Sequence, residues 1–170
     1  LFLQQQLLHD AEEALNDLLL KTYATNIVAI AGMPLYVHNR LYNVAVVFQS
    51  GKILGIVPKT HLPNNNEFYE KRWFASGADI ATQTIQLNET SIPFGTNLLF
   101  EYAGTSFGIE ICEDLWVPLP PSTQHCLHGA GLVFNLSASN ELIGKHQYLR
   151  QLIEQQSGRC NAGYIYASAG

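Results

Sequence analysis

The chain has 170 residues, of which 47% are apolar and 14% charged, with 9 Lys and Arg against 14 Asp and Glu and a formal net charge of -5 at pH 7. So many core formers exclude a disordered chain and fit one globular domain, and an acidic balance with no basic cluster argues against nucleic acid or an acidic membrane surface as partner. The three cysteines, Cys112, Cys126 and Cys160, are too few for a disulfide framework, and the odd count points to free thiols in a reducing, cytoplasmic compartment.

Residues 1 to 23 place Leu3, Leu7, Ala11, Ala14 and Leu18 at three- and four-residue spacings, with Leu8, Leu15 and Leu19 on the flank, which predicts an amphipathic helix. Strands follow at Asn26–Gly32, Leu41–Gln49 and Lys52–Lys59, and the pair Ser50-Gly51 predicts an antiparallel hairpin between the last two. The longest nearly apolar run, Ile27–Val37, is interrupted by Gly32 and Pro34 and is shorter than the roughly 18 residues a membrane-spanning helix needs. Residues 60–76 form a polar loop that merges into a cluster of aromatic and charged side chains. Strands resume at Thr84–Leu87, Asn97–Tyr102 and Ser106–Cys112, and Pro118, Pro120 and Pro121 then enforce a loop. Ser122 is the expected N-cap of a short helix through His128. Leu132–Leu136 reads as a buried strand, Lys145–Ser157 as a helix and Gly163–Ser168 as a last strand. This order predicts an α/β architecture of two or four layers, helices outside and sheets inside. The chain opens on Leu1 without a signal-peptide pattern, and its last strand has no following element, so it is expected to be a piece of a longer protein.

Cys112 stands where the apolar run Phe107-Gly108-Ile109-Glu110-Ile111 meets the turn Glu113-Asp114-Leu115-Trp116. A thiol at such a junction can project into a cleft beside the next backbone N–H, which is half of an oxyanion hole; it can equally be a buried structural cysteine. Glu110 lies two residues earlier on the same strand face, where an ordinary core would not accept a carboxylate. Lys59 ends its strand either as a solvated lysine or as a cation that stabilises thiolate and a tetrahedral intermediate. Glu70 either holds that lysine or positions substrate, or pairs at the surface with Lys71 or Arg72. His125, Cys126 and His128 cluster in sequence, but a zinc site needs about four ligands and no paired motif supplies the rest, so no metal is expected. His61, two residues after Lys59, is read as organising its loop rather than as partner of a thiol, and neither GxGxxG nor GxxxxGK[ST] occurs to cradle a nucleotide.

Taken in order, Val57-Pro58-Lys59-Thr60-His61-Leu62-Pro63, Glu67-Phe68-Tyr69-Glu70-Lys71-Arg72-Trp73-Phe74 and Gly108-Ile109-Glu110-Ile111-Cys112-Glu113-Asp114-Leu115-Trp116 resemble the carbon-nitrogen hydrolase (nitrilase) superfamily. The wording EICEDLW, followed by NLSASN and IGK, is most similar to the glutaminase domain of glutamine-dependent NAD synthetases. The resemblance runs through nearly all of the chain. It implies a four-layer αββα sandwich of the nitrilase type, truncated here at both ends, with residues 1–170 forming one incomplete carbon-nitrogen hydrolase domain.

The same resemblance implies Cys112 as the nucleophile on the glutamine amide, Lys59 as the stabiliser of tetrahedral intermediates and Glu70 as the second glutamate. The backbone N–H of Glu113 completes the oxyanion site with Lys59. Ser139 and Lys145 take the amino-acid moiety of glutamine, with Glu113 and Trp116 lining the same pocket. Lys145 stands where some relatives carry Arg, which supplies the charge without the fork geometry, and Asn65 where some place a tyrosine. The general-base glutamate of the family precedes the position of Leu1, so the chain alone is expected to be inactive or severely impaired. Glutamine and a C-terminal synthetase domain are the implied partners, together with a homo-oligomeric assembly. No cofactor is expected in this segment, and ATP and Mg are assigned to the synthetase domain. Two other readings stand beside this one: a stand-alone amidase or nitrilase, and a noncatalytic assembly module with Cys112 in its core.

Overall fold

The structure is a computed structural model that describes residues 2–140 and 142–169, and the chain divides into two units, Leu1–Thr96 and Asn97–Gly170. In the first unit, helix α1 (Gln5–Thr22) precedes five strands: β1 (Val28–Val37), β2 (Arg40–Gln49), β3 (Lys52–Pro58), β4 (Gln83–Leu87) and β5 (Thr90–Phe94). They form one sheet in the order β1-β2-β3-β5-β4, antiparallel except where β5 runs parallel to β3.

Two-residue turns set the antiparallel registers of this unit. His38 and Asn39 (φ +47° and +62°), Ser50 and Gly51 (+49° and +75°), and Asn88 and Glu89 (+48° and +61°) are all left-handed pairs, the type I′ conformation whose twist matches that of the flanking strands. The expected Ser50-Gly51 hairpin is present. The expected end of the first strand at Gly32 is not: β1 continues to Val37, with Gly32 opposite Ala45 and Pro34 opposite Asn43. Proline is tolerated there because β1 is the edge strand of the sheet. β5 is a strand the sequence reading did not anticipate, since Pro93 argues against one. Pro93 sits opposite Thr84 in the antiparallel pairing with β4, while the pairing with β3 is confined to Ile56 and Phe94, so the sheet asks few hydrogen bonds of this strand.

The core of this unit packs Ala11, Leu15 and Leu19 of α1 against Met33, Leu35, Val44, Val46, Phe48, Ile56, Ile85, Ile92 and Phe94. The helix therefore presents Ala11 of its expected stripe together with the flanking Leu15 and Leu19 to the sheet, and Leu3 and Leu18 are exposed. Rotation about the helix axis is set by which part of the apolar stripe fits the sheet surface.

The second unit holds a four-stranded sheet in the order β6 (Leu99–Tyr102), β7 (Thr105–Ile111), β8 (Leu132–Ser137) and β9 (Gly163–Ser168). β6 and β7 form a hairpin through left-handed Ala103 and Gly104. β7, β8 and β9 are parallel, joined by crossovers that contain α2 (Pro121–Leu127) and α3 (Lys145–Cys160). Pro120 occupies the N-cap of α2 and Pro121 its first turn, where a fixed φ and a missing N–H cost nothing. Ser122, the expected N-cap, is instead inside the helix and fully buried. Gly108 of β7 is required by packing: a Cβ there would stand 2.6 Å from His125 Cγ and 2.8 Å from its Cβ. The molecule is thus a mixed α/β fold with two sheets and three helices among the described residues.

Candidate active site

In the first unit the chain leaves β3 at Lys59, whose backbone N–H donates to the Asn43 carbonyl and whose carbonyl accepts from Gly77 N–H, both at 2.8 Å. The loop that follows folds back on the sheet. Ala75 N–H donates to the Leu41 carbonyl at 2.8 Å and Phe74 N–H to the Glu70 carbonyl at 2.9 Å, which hold the 3-10 turn Glu70–Arg72 near the ends of β2 and β3. Phe2 packs on Phe74, and the Arg72 guanidinium lies 5.3 Å from the Trp73 ring centre.

This return brings Glu70 to Lys59. The ammonium donates to both carboxylate oxygens at 2.8 Å, with the lysine side chain 1% exposed and that of Glu70 23% exposed. Neither the solvated lysine nor the surface pairing of Glu70 with Lys71 or Arg72 is what the structure holds. A buried ammonium is stable only when paired, so this pair fixes the charge in one place.

In the second unit β7 ends at Ile111, and Cys112 begins the 3-10 turn Cys112–Trp116. Cys112 has φ +48°, a left-handed conformation that costs a non-glycine residue about 1 to 2 kcal/mol. Two buried side chains hold it there. Ile111 N–H donates to Asp114 Oδ2 at 2.9 Å, and Cys112 N–H donates to Asn135 Oδ1 at 3.2 Å. Cys112 is half-buried, which does not match a cysteine sealed in the core. The expectation that Cys112 closes the strand is therefore one residue off, and the left-handed turn frees its side chain from the strand alternation that placed it on the face of Glu110.

Glu110 is buried, and the structure shows what accepts its charge. Oε2 accepts from Ser122 N–H at 2.9 Å, and Oε1 accepts from Asn135 Nδ2 at 3.4 Å and from the Tyr164 hydroxyl. Burial first, then the Glu110 charge, push the Tyr164 hydroxyl far above the usual phenol range, so it remains protonated and donates.

Lys145, the first residue of α3, donates through Nζ to Ser139 Oγ at 2.6 Å and to Asn140 Oδ1, and stands 5.5 Å from the Trp116 ring centre. Trp116 in turn packs on Tyr148 at 5.7 Å. Ser139, Lys145 and Trp116 are thus brought together, and Glu113 lies on the same turn as Trp116, half-buried. A cation at the first position of a helix opposes the positive end of the helix dipole, an arrangement that an incoming carboxylate relieves.

His125, Cys126 and His128 do not converge as ligands. His125 is buried against Gly108, the His128 ring bonds the Gln124 carbonyl through Nδ1 at 2.8 Å, and burial together with the neighbouring Cys160 pushes the Cys126 thiol up to about 11. Among the described residues no group of three or more His, Cys, Asp and Glu could hold a metal ion, and no helix is long and apolar enough to cross a membrane. Asp114, Asn135 and Tyr164 were not singled out from the sequence. An asparagine inside the apolar run Leu132-Val133-Phe134-Asn135-Leu136 is the signal that could have found one of them.

Residues 6–169 match the carbon-nitrogen hydrolase family. The chain is 43% identical over 171 residues to the glutamine-dependent NAD(+) synthetase of Mycobacterium tuberculosis, with 99% of the chain and 25% of that protein covered. It is 30% identical to the rat protein of the same name, with 94% of the chain and 24% of the relative covered. Among solved structures, a glutamine-dependent NAD(+) synthetase from Cytophaga hutchinsonii superposes with a TM-score of 0.85 at 29% identity, covering 98% of this chain and 27% of that one. A nitrilase-superfamily amidase from Nesterenkonia gives 0.73 at 15% identity, over 96% of this chain and 55% of its own, a likeness of fold alone. The chain spans about a quarter of the length of the synthetases it matches.

Proposed function

Because this chain belongs to the carbon-nitrogen hydrolase family, we propose that it carries the thiol of a glutaminase that supplies ammonia to a synthetase. The Cys112 thiolate attacks the side-chain amide carbon of glutamine, forming a C–S bond and a tetrahedral oxyanion. Collapse breaks the C–N bond, ammonia leaves with a proton, and a thioester remains. Water then adds to the thioester, and glutamate and the thiol are released. Lys59, held by Glu70, is the cation assigned to the negative charge of the intermediates, with the Glu113 N–H as a second donor. Lys145 and Ser139 take the substrate carboxylate, Trp116 walls that pocket and Glu113 lines it.

The observation that carries this reading is the left-handed Cys112, a non-glycine residue strained at a strand end and pinned through buried side chains. Glu110 and Glu70 are both engaged by other donors, so the base that takes the thiol proton is assigned to a carboxylate outside these residues. An identity of 43% with an NAD(+) synthetase, aligned over 99% of the chain, supports a destination for the ammonia in NAD synthesis. The ATP- and Mg-dependent step is assigned to a synthetase domain elsewhere in the polypeptide, and a homo-oligomer belongs to the same reading, to be checked by sedimentation. The test is stoichiometric labelling of the full-length protein by a thiol-reactive glutamine analogue. Label on Cys112, slowed by free glutamine and absent in Cys112→Ala, is the expected result. Label elsewhere, or none, removes the glutaminase reading and leaves an assembly module. Hydrolysis of simple aliphatic amides in preference to glutamine would favour a stand-alone amidase.

A further inference from the structure

We propose that Asn135 is a positioning residue for the Cys112 thiol, its carboxamide tying the left-handed backbone at Cys112 to the buried Glu110–Tyr164 pair. The inference deepens the glutaminase reading and rests on it. A left-handed φ at a non-glycine residue persists only where the surroundings over-determine it. The Cys112 N–H, at the first position of a 3-10 turn, has no acceptor within that turn. Asn135 Oδ1 supplies one at 3.2 Å.

The direction of the amide is itself determined. Asn135 lies opposite Glu110 in the parallel pairing of β7 with β8, and its side chain is fully buried. Its Nδ2 donates to Glu110 Oε1 at 3.4 Å and to the Tyr164 hydroxyl oxygen at 3.0 Å, and the hydroxyl proton goes to Glu110. Glu110 is held in turn by Ser122 N–H at the start of α2. With both acceptors on the Nδ2 side, Oδ1 has to face the Cys112 N–H. A flipped amide would set oxygen against carboxylate and NH2 against N–H. Three parallel strands thus converge on one backbone bond beside the thiol.

Without that bond the left-handed strain at Cys112 is no longer opposed, and relaxation of φ swings the sulfur off its line of attack. A displacement of about 1 Å costs on the order of 100-fold in rate. In the full-length protein, Asn135→Ala is expected to lower kcat for glutamine by about 10- to 100-fold, with KM within about threefold. Alkylation of Cys112 by iodoacetamide, which needs no aligned carbonyl, stays within about threefold of wild type. Tyr164→Phe keeps the packed ring and removes the hydroxyl; it is expected to lower kcat by about three- to tenfold, and the double variant to fall short of the product of the two effects.

Wild-type kcat in both single variants overturns the inference. So does a parallel loss of kcat, substrate binding and alkylation, the mark of a merely structural residue; if Asn135→Ala does not fold, Tyr164→Phe decides by the same readouts. Should the wild-type protein fail to hydrolyse glutamine, the glutaminase reading falls by itself. Amide exchange at Cys112 then tests the tie separately: faster exchange in Asn135→Ala, with β8 still protected, supports it, and unchanged exchange overturns it.

Discussion

Replacing Glu70 by Gln removes one charge and almost no volume, and leaves the Lys59 ammonium in a site where only 1% of its side chain reaches water. At 2.8 Å and an effective dielectric of about 20, the gross attraction between the two charges is roughly 6 kcal/mol. Desolvation of both groups offsets much of it, so the pair as a whole contributes little net stability. Breaking it by removing one partner is different, and costs about 3 to 5 kcal/mol where both groups are fully buried. Glu70 is 23% exposed, so water partly replaces the lost oxygen, and the lower end, about 3 kcal/mol, is expected. With an m-value of about 2 kcal/mol/M, the urea midpoint falls by roughly 1.5 M at unchanged m. Replacing both partners, Lys59→Met with Glu70→Leu, should return the midpoint to within about 0.5 M of wild type, since no charge is then stranded. In the full-length protein the proposed glutaminase activity is expected to be lost in the double variant, which lacks the Lys59 charge. A loss below about 1 kcal/mol for Glu70→Gln, or a double variant as unstable as the single, would refute the account of Lys59 as a charge held by its carboxylate.

Gly108→Ala drives a methyl group to 2.8 Å from His125 Cβ, which rotation of the ring cannot relieve, so α2 has to shift; a loss of about 3 kcal/mol in urea denaturation is expected. In the full-length protein, Lys145→Met removes the charge proposed to meet the substrate carboxylate; KM for glutamine should rise by about 10- to 100-fold with kcat changed far less, as read from initial rates. The Cys126 thiol, pushed up from 9.0 to about 11 by burial and by Cys160, stays protonated in the folded state where the unfolded chain has lost its proton. Its contribution to stability is whole below pH 9.0 and is lost as pH rises through about 11. Urea midpoints measured across that window should fall more steeply for wild type than for Cys126→Ala.

Much of the fold was legible. The alternation and β-branched content of β2, β3 and β8 and the spacing in α1 and α3 reflect local preferences that the neighbouring chain reinforces. The failures cluster at proline and at turns without glycine. β5 was hidden by Pro93, and the end of β1 by Pro34, because a residue that cannot donate argues against a strand unless the donor it lacks is not needed. In the site, Lys59, Glu70 and Cys112 could be named as candidates from residue type and order and Lys145 from the family resemblance, whereas Tyr164 read as one more aromatic of the last strand.

By itself the sequence determined the periodicities, the hairpin at Ser50-Gly51 and the residues able to carry a thiol, a cation and a carboxylate, because these depend on side-chain chemistry and on neighbours a few positions away. Only the tertiary structure decided which charges are paired. Lys59 meets Glu70 eleven residues on, and Glu110 meets Tyr164 fifty-four residues on. The tertiary structure also decided that Cys112 adopts a left-handed backbone and that α1 turns Leu15 inward. The physical reason is that desolvation sets the cost of a buried charge or a strained φ, and desolvation is produced by segments that local sequence does not bring together.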